Sequence, residues 1–280
     1  MCISCFAFEV HKDLLFLLAF NRDELLTRVT APPAFWTDHP QILGGRDNQR
    51  QGTWLGVTTS GRVSFVTNYK ERANGHPRSP TTRGGLTVDF LLGEEQPLTY
   101  LESLDLSKYS GFNLVVADLL SGSVAYRCNR KDTVPRTIGP GVHVMSNGHI
   151  DDTWPKMKIC KEALVRVLNS GEIEGHNLPW ETIFNDVLGQ AKRVEDESLL
   201  PNTGVGIELE KMDSGVFVEP FDKQDGLHGT RSQTVLAVWR DGHAEYRERW
   251  LDFPTGQWHE VNHTFAIGRA FEGLPHGDEL

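Results

Sequence analysis

The sequence is poor in cysteine, in long hydrophobic runs and in concentrated positive charge. Its four cysteines, Cys2, Cys5, Cys128 and Cys160, are too few and too scattered for a disulfide framework. This usage is typical of a reducing compartment. The formal net charge of −10 provides no basic face for a phosphate backbone, so nucleic acid is not an expected partner.

The hydrophobic runs are too short to predict a membrane span. The longest, Leu14 to Phe20, has far fewer than the ~20 residues of a spanning helix, and its flanks do not resemble a secretory leader. We therefore expect a buried strand here and a cytoplasmic protein without a transmembrane segment. Because no repeat, low-complexity segment or linker divides the chain, we predict one domain over residues 1–280.

Turn residues divide the apolar segments into pairs of predicted strands. Four antiparallel hairpins are expected, with corners at His11 to Asp13, Ser60-Gly61, Leu120 to Gly122 and Asp241-Gly242. The Pro- and Gly-rich stretch from 31 to 50 has no periodicity and is expected to be an ordered loop. Helices are predicted at 87–92, 154–168 and 180–188. Strands at both ends and helices between them indicate an α+β domain with antiparallel sheets.

Cys2 directly follows the initiator methionine. A small residue at position two favours removal of Met1, after which Cys2 would carry a thiol and a free α-amine. An α-amine titrates near ~7.7–8.0 and a thiol near ~8.5, so the amine can accept the thiol proton without a histidine. This combination predicts a self-activated nucleophile. The alternative is a small buried hydrophobic residue whose position is incidental.

Polar residues at predicted strand ends strengthen the catalytic interpretation. Asp23, Asn68 and Asn147 each follow an apolar strand, and Arg231 opens another. An acid can hold a terminal amine, an Asn amide can donate to an oxyanion, and an Arg can steady a site by charge-assisted hydrogen bonds. The alternative for each Asn or Asp is a turn cap.

Several short stretches together resemble the NRDE family, the family of the transport and Golgi organisation protein 2 homologues. The resemblance runs in order from Met1 to about Ile267. It is carried by MCI at the start, NRDE at 21–24, GTWLG at 52–56, TNY at 67–69, GFNLVVADL at 111–119, Ser146-Asn147 with WPK, and GTRSQTVL at 229–236.

The resemblance implies the N-terminal nucleophile hydrolase superfamily and its four-layer αββα sandwich. Its chemical relatives are the cholylglycine and penicillin V amidases and acid ceramidase, which attack an amide with an N-terminal cysteine. Transferred by position, the roles are nucleophile for Cys2, partner of its amine for Asp23, oxyanion donor for Asn68, second orienting amide for Asn147 and site arginine for Arg231.

One departure from the amidase pattern concerns the first arginine. Those amidases have Arg-Asn-x-Asp where this chain has Phe20-Asn21-Arg22-Asp23. Arg22 takes the place of the variable residue, and its side chain is expected to leave the opposite face of the strand.

Two functions remain open. The first is hydrolysis of an amide or thioester bond through Cys2, which requires no cofactor. The second, also implied by the resemblance, is non-catalytic carriage of heme, acyl-CoA or lipid, linked to mitochondria, Golgi and ER. No Cys-x-x-Cys-His heme attachment motif is present, so Cys2, Cys5 or any histidine could serve as the axial ligand.

His259-Glu260-Val261-Asn262-His263 matches the H-E-x-x-H pattern of zinc proteases. That chemistry requires a helix, on which the two histidines share one face. The surrounding residues favour a strand, on which the histidines would stand ~13 Å apart. We therefore expect no metal site.

Overall fold

The computed structural model of the chain describes residues 2–71 and 81–268. Met1, whose removal the sequence predicts, lies outside the described residues. The strands are β1 (Cys2–Phe8), β2 (Leu14–Leu25), β3 (Thr30–Phe35), β4 (Ile42–Asp47), β5 (Leu55–Thr58), β6 (Arg62–Asn68), β7 (Phe112–Asp118), β8 (Ser123–Cys128), β9 (Arg136–Thr137), β10 (Gly141–Met145), β11 (Phe221–Lys223), β12 (Gly226–Trp239), β13 (His243–Asp252) and β14 (Gln257–Ala266). The helices are α1 (Gly84–Leu92), α2 (Pro97–Ser103), α3 (Pro155–Leu168), α4 (Trp180–Thr182), which continues as a π-helical turn over Ile183–Val187, and α5 (Ile207–Met212).

The first sheet holds β1 in its interior. Its order is β10-β1-β2-β12-β13-β14, with β11 paired to β12, and its pairings are antiparallel. The register places Cys2 opposite Arg22 of β2, and Ser4 opposite Met145 of β10. The first residues of the chain are therefore flanked by strands on both sides.

Both faces of β1 are covered, because every residue of the strand is buried. Phe6 and Phe8 pack in one apolar cluster with Cys2, whereas Ile3 and Cys5 pack in another. A strand that is apolar on both faces belongs inside a layered structure rather than at its surface.

The second sheet packs against the first through aromatic side chains. Its order is β3-β4-β5-β6-β7-β8-β9. The ring of Phe65 on β6 lies 5.6 Å from Phe6 and 6.2 Å from Phe20, in edge-to-face contacts. The inter-sheet layer is thus continuous from β1 and β2 to β6.

Helices cover the two outer faces. Helix α3 and the π-helical turn pack on the first sheet through Met157, Leu164 and Phe184. Helices α1 and α2 pack on the second sheet through Phe90 and Tyr100. The order helix, sheet, sheet, helix confirms the predicted four-layer αββα sandwich. None of the helices that the structure describes is both long and apolar enough to cross a bilayer.

The four predicted hairpins are confirmed as β1/β2, β5/β6, β7/β8 and β12/β13. The prediction of a loop over 31–50 is wrong, since the stretch contains β3 and β4. Strand β3 carries Pro32 and Pro33 at a register irregularity, and it is an edge strand, where proline is tolerated.

His259 and His263 lie on β14, opposite Trp250 and Tyr246, which confirms that the H-E-x-x-H stretch is a strand.

The inter-sheet layer predicts a large penalty for truncating Phe6. Its ring is fully buried and contacts both Phe16 and Phe65. Phe6→Ala should lower the free energy of unfolding by about 3–5 kcal/mol, because it leaves a cavity between the sheets. Chemical denaturation measures the change. Leu120→Ala, at an exposed position, serves as the control and should shift stability by less than about 0.5 kcal/mol.

Candidate active site

Cys2 begins β1 and faces the layer between the sheets. It is 8% exposed and belongs to the same cluster as Trp54. Its thiol accepts a hydrogen bond from the backbone N–H of Asp23. Burial raises the pKa of the Cys2 thiol, while the nearby Arg22 guanidinium acts in the opposite direction. The resting thiol is therefore protonated at neutral pH and needs a base before it can attack.

Asp23 is buried beside Cys2, on β2. Its Oδ1 accepts a 2.6 Å hydrogen bond from Thr230 Oγ1, which in turn accepts from the Val218 N–H. Burial raises the pKa of the Asp23 carboxyl to about 6, and the neighbouring Lys156 and Thr230 limit the rise. Such a carboxylate is ionised at neutral pH and suited to holding an amine.

Ser146 and Asn147 connect Cys2 to the second sheet. Ser146 Oγ donates to the Cys2 carbonyl at 2.9 Å, and Asn147 Nδ2 donates to the Asn68 carbonyl at 2.7 Å. Asn147 is almost fully buried, and its amide group is committed to this backbone contact. The side chain of Asn147 thus holds the backbone of Asn68, and its role as an orienting amide stays a prediction.

The carbonyl of Ser146 is itself fixed by the second sheet. Thr67 Oγ1 donates to it at 2.5 Å, and Asn113 Nδ2 lies within 3.3 Å. Tyr126 Oη donates to Asn113 Oδ1 at 2.8 Å. These buried polar contacts hold the segment that crosses between the sheets. Ser146 and Thr67 lie within the SN and TNY motifs, but no pattern in the sequence indicates that they contact each other.

The backbone of Asn68 is tied to the site, but its side chain is not paired with Cys2. Asn68 is the last residue of β6 and is half-buried. Because side chains alternate along a strand, the Asn68 side chain lies on the same side of the sheet as Val66, which packs against α1. It can therefore approach Cys2 only by turning where the strand ends. Within residues 2–71 and 81–268 its amide makes no hydrogen bond, which leaves it available as a donor.

Lys70 anchors the segment that follows Asn68. Its Nζ lies 2.5 Å from Glu210 Oε2 and 2.8 Å from Asp213 Oδ1, and all three side chains are buried. The Lys70 N–H also donates to the Asn147 carbonyl at 2.8 Å. The end of β6 is therefore held by an ion cluster on one side and by the Ser146-Asn147 segment on the other.

Arg231 is a bracing residue in this structure. It occupies a bulge of β12, between Thr230 and Ser232, and lies inside that strand rather than opening it. Its guanidinium donates to the Leu25 and Arg28 carbonyls and to Thr30 Oγ1. Burial and the charge of Arg22 lower the pKa of Arg231 to about 10. These hydrogen bonds go to the last residue of β2, to the turn after it and to the first residue of β3, and none of them goes to Cys2.

Asn21 of the NRDE tetrad makes hydrogen bonds that stabilise the fold. Its Nδ2 donates to the Leu188 carbonyl at 2.8 Å and to the Val216 carbonyl at 2.9 Å. Both acceptors belong to the helical side of the first sheet. Asn21 therefore joins β2 to the layer that covers it.

Arg22 of the tetrad lies on the same face of β2 as Phe20, and that face carries Cys2, so the expectation that its side chain leaves the opposite face of the strand is wrong. Its guanidinium carbon lies 4.0 Å from the centroid of the Trp54 ring. Phe20, two residues earlier on the same face, is fully buried against Phe65. The arginine that the amidase pattern places at position 20 is thus replaced by an apolar contact, and Arg22 is the guanidinium nearest the thiol on this strand.

Glu24 completes the tetrad as an ionised carboxylate. Its Oε1 accepts from the Leu25 N–H at 2.9 Å, and its Oε2 lies 4.0 Å from Arg22 Nη2. Burial opposes ionisation, but the charges of Arg22 and Arg28 and the hydrogen bond from the Leu25 N–H act together against it, and the pKa of Glu24 is lowered to about 2.

The described residues contain no cluster of three His, Cys, Asp or Glu side chains that could hold a metal ion. All four cysteines are buried, and none forms a disulfide. What the arrangement offers chemically is a buried thiol with the Asp23 carboxylate and the Arg22 guanidinium beside it.

The matches to known proteins extend over nearly the whole chain. A model of the family described as Transport and Golgi organisation 2 matches residues 1–252. A Transport and Golgi organization protein 2 homolog of Bos taurus is 30% identical over 95% of this chain and 99% of its own length. The Transport and Golgi organization protein 2 of Drosophila melanogaster is 32% identical over 94% of this chain and 97% of its own.

Among solved structures, this chain is similar to a mutant conjugated bile acid hydrolase from Clostridium perfringens. The sequence identity is 10%, the TM-score is 0.46, and the match covers 99% of this chain and 100% of that one.

The contacts of Asn21 predict a loss of stability without a loss of Cys2 chemistry. Asn21→Ala removes the donor from two carbonyls and should cost about 2–4 kcal/mol of unfolding free energy. Thermal and chemical denaturation measure the cost. Asn185→Ala, at an exposed position of the π-helical turn, is the control. Reduced alkylation of Cys2 in folded Asn21→Ala at low temperature would contradict this division of roles.

The environment of Asp23 predicts a pH dependence. Its folded pKa of about 6 exceeds the ordinary 3.8, so the folded state binds the proton more tightly than the unfolded chain. The contribution of Asp23 to stability is complete below pH 4 and is lost as pH rises to 6, by up to about 3 kcal/mol at roughly 1.4 kcal/mol per pKa unit. Denaturant titrations at several pH values should show this slope in the wild type. In Asp23→Asn the slope should be weaker, and an unchanged slope would assign it to other groups.

Proposed function

Since the chain belongs to the Transport and Golgi organisation 2 family, we propose that it carries a reaction site of that family. In this site Cys2 hydrolyses an amide or thioester bond once Met1 is removed. The observation that carries the proposal is the meeting of three groups at the head of β1. There the Cys2 thiol lies beside the backbone of Asp23 and opposite Arg22. The names of the relatives fit a site of action near secretory membranes, which is part of the same proposal.

The base in the proposed reaction is the α-amine that removal of Met1 creates on Cys2. This amine takes the thiol proton, and the Asp23 carboxylate holds the resulting ammonium. The thiolate attacks the carbonyl carbon of the substrate, forming the S–C bond and a tetrahedral oxyanion. Burial raises the pKa of the thiol, so its deprotonation must coincide with attack or be assisted by the Arg22 charge.

Collapse of the intermediate breaks the bond to the leaving group. The ammonium returns its proton to the departing amine or thiol, which leaves an acyl group on Cys2. Water, deprotonated by the same amine, then attacks the thioester and releases the acid. The unengaged amide of Asn68 and a backbone N–H are the proposed donors to both oxyanions.

The position of Asn68 in this scheme rests on its braced backbone. Asn147 donates a hydrogen bond to the Asn68 carbonyl, and the ion pair of Lys70 with Glu210 fixes the segment that follows Asn68. A donor on a fixed backbone stabilises an oxyanion without reorganising during the reaction. The committed amide of Asn147 supports a positioning role for that residue rather than direct contact with substrate.

Mass spectrometry of the protein purified from its own cells provides the test. We expect an intact mass without Met1, stoichiometric acylation of Cys2 by a β-lactone probe, and turnover of short-chain acyl thioesters. Cys2→Ser should lower turnover by about 10³-fold or more. Cys128→Ser is the matched control, because that thiol is equally buried and lies on β8.

Retention of Met1 in the cellular protein would overturn hydrolysis, because the base would be missing. If such a protein also bound heme or acyl-CoA saturably, and Cys2→Ala kept that binding, the carrier function would replace it. Absorbance in the Soret region and a fluorescent acyl-CoA report these two ligands separately.

A further inference from the structure

Arg22 differs from the other buried arginines in its hydrogen bonding. Arg22, Arg62 and Arg231 are each less than 10% exposed. Arg62 donates to the Phe90 and Glu95 carbonyls, and Arg231 donates to the Leu25 and Arg28 carbonyls. For Arg22, no hydrogen bond is made within the part of the chain that the structure describes. Its nearest carboxylate oxygen, Glu24 Oε2, is 4.0 Å away, beyond hydrogen-bond distance.

The protein contains a completed version of the same arrangement. Arg46 lies over the Trp36 ring at 4.4 Å, and its guanidinium binds Asp38 through two hydrogen bonds of 2.6 and 2.8 Å. Arg22 lies over the Trp54 ring at 4.0 Å and has no such carboxylate. Other arginines that stack as closely on aromatic rings also bond to carbonyl or carboxylate oxygens, namely Arg62, Arg247 and Arg249.

A second donor beside Arg22 is also unsatisfied. The indole Nε1 of Trp54 is buried and has no hydrogen-bond partner among the described residues. The ring packs directly on Gly45, where any side chain would collide with it, because a Cβ at that position would come within 2.5 Å of the ring. A buried N–H without an acceptor is costly, so this indole, stacked against a guanidinium that makes no hydrogen bond to the described residues, points to an acceptor that those residues do not supply.

The two donors are next to the reactive thiol and at the edge of solvent. Arg22 is directly opposite Cys2 in the sheet, and Trp54 shares the cluster of Cys2. The three residues keep 5–8% exposure, whereas their neighbours Phe20 and Leu55 have none. A small group reaching Cys2 from solvent would therefore meet this guanidinium.

We propose that Arg22 and Trp54 form an anion-binding subsite that holds a carboxylate or phosphate group of the substrate beside Cys2. A guanidinium and an indole N–H are donors only, so their ligand must be an acceptor. A planar guanidinium binds carboxylate and phosphate through two parallel hydrogen bonds, as Arg46 does with Asp38. The inference rests on the proposed function in that it takes Cys2 as the reacting group.

Alkylation of Cys2 tests the subsite with two small reagents. Iodoacetate carries a carboxylate, and iodoacetamide is its neutral counterpart; each loses iodide as the thiolate sulfur bonds to carbon. The ratio of the two rate constants at Cys2, read by peptide mass spectrometry, removes effects on thiol reactivity common to both. In Arg22→Gln the ratio of iodoacetate to iodoacetamide should fall about tenfold. Arg22→Lys should restore part of it, and Arg46→Gln, the matched stacked arginine, should leave it unchanged.

Thermal unfolding provides a second readout that does not need a reactive thiol. At constant ionic strength, sodium phosphate and sodium glutarate are compared with sodium chloride. One or both should raise the Tm of the wild type by about 2 °C or more, and the Arg22→Gln protein should not respond. The phosphate arm and the glutarate arm show which anion the subsite prefers.

The outcomes separate this inference from the proposed hydrolysis. An Arg22-dependent rise in Tm with no alkylation of Cys2 by either reagent would support the subsite and reject the reaction. Alkylation of Cys2 with the same reagent ratio and the same Tm response in wild type and Arg22→Gln would overturn the subsite and leave hydrolysis standing.

Discussion

The hydrogen bond from Ser146 to the carbonyl of Cys2 is the contact on which the geometry of the site depends. A residue at the end of a chain frays unless something holds its backbone. Here the holder is fixed in turn, because Thr67 and Asn113 on the second sheet both bind the Ser146 carbonyl. The thiol of one sheet and the end of β6 in the other are therefore positioned by the same short segment. The apolar packing around Phe6 brings the sheets together, and this polar segment sets their alignment at the site.

The NRDE tetrad divides its residues between the two faces of β2, because successive side chains of a strand alternate. Asn21 joins the strand to the helical layer, and Arg22 reaches the layer that contains Cys2. Asp23 meets Thr230 where the bulge at Arg231 interrupts the pairing of β2 with β12. A compact motif thus supplies one structural contact and two groups that surround a thiol. The four residues are contiguous in sequence, but their side chains lie on opposite faces of the sheet.

Local pattern predicted the hairpins, because turn residues and alternating apolar residues act within a few positions of each other. The family resemblance supplied the layered architecture, which the structure confirms, and the roles that it implies for Cys2 and Asp23 stay predictions. Two features escaped prediction because they depend on distant partners. Proline is compatible with β3 only because that strand is at an edge, which is a property of the whole sheet. The surroundings of Arg22 are set by Trp54 on the other sheet, and nothing near Arg22 in sequence indicates that ring.

The charges around Cys2 suit the proposed reaction, which develops negative charge. At rest the thiol is neutral, since burial raises its pKa, and Asp23 is close to its own titration range. Arg22 carries a positive charge that stacking on Trp54 holds in place and that makes no hydrogen bond to the described residues. A thiolate, an oxyanion or an anionic substrate entering this space would meet a cation that need not move or break another contact. Such preorganisation is where buried charge contributes most to a reaction, and the ion pair with Glu24 together with the stacking on Trp54 makes this guanidinium compatible with a folded core.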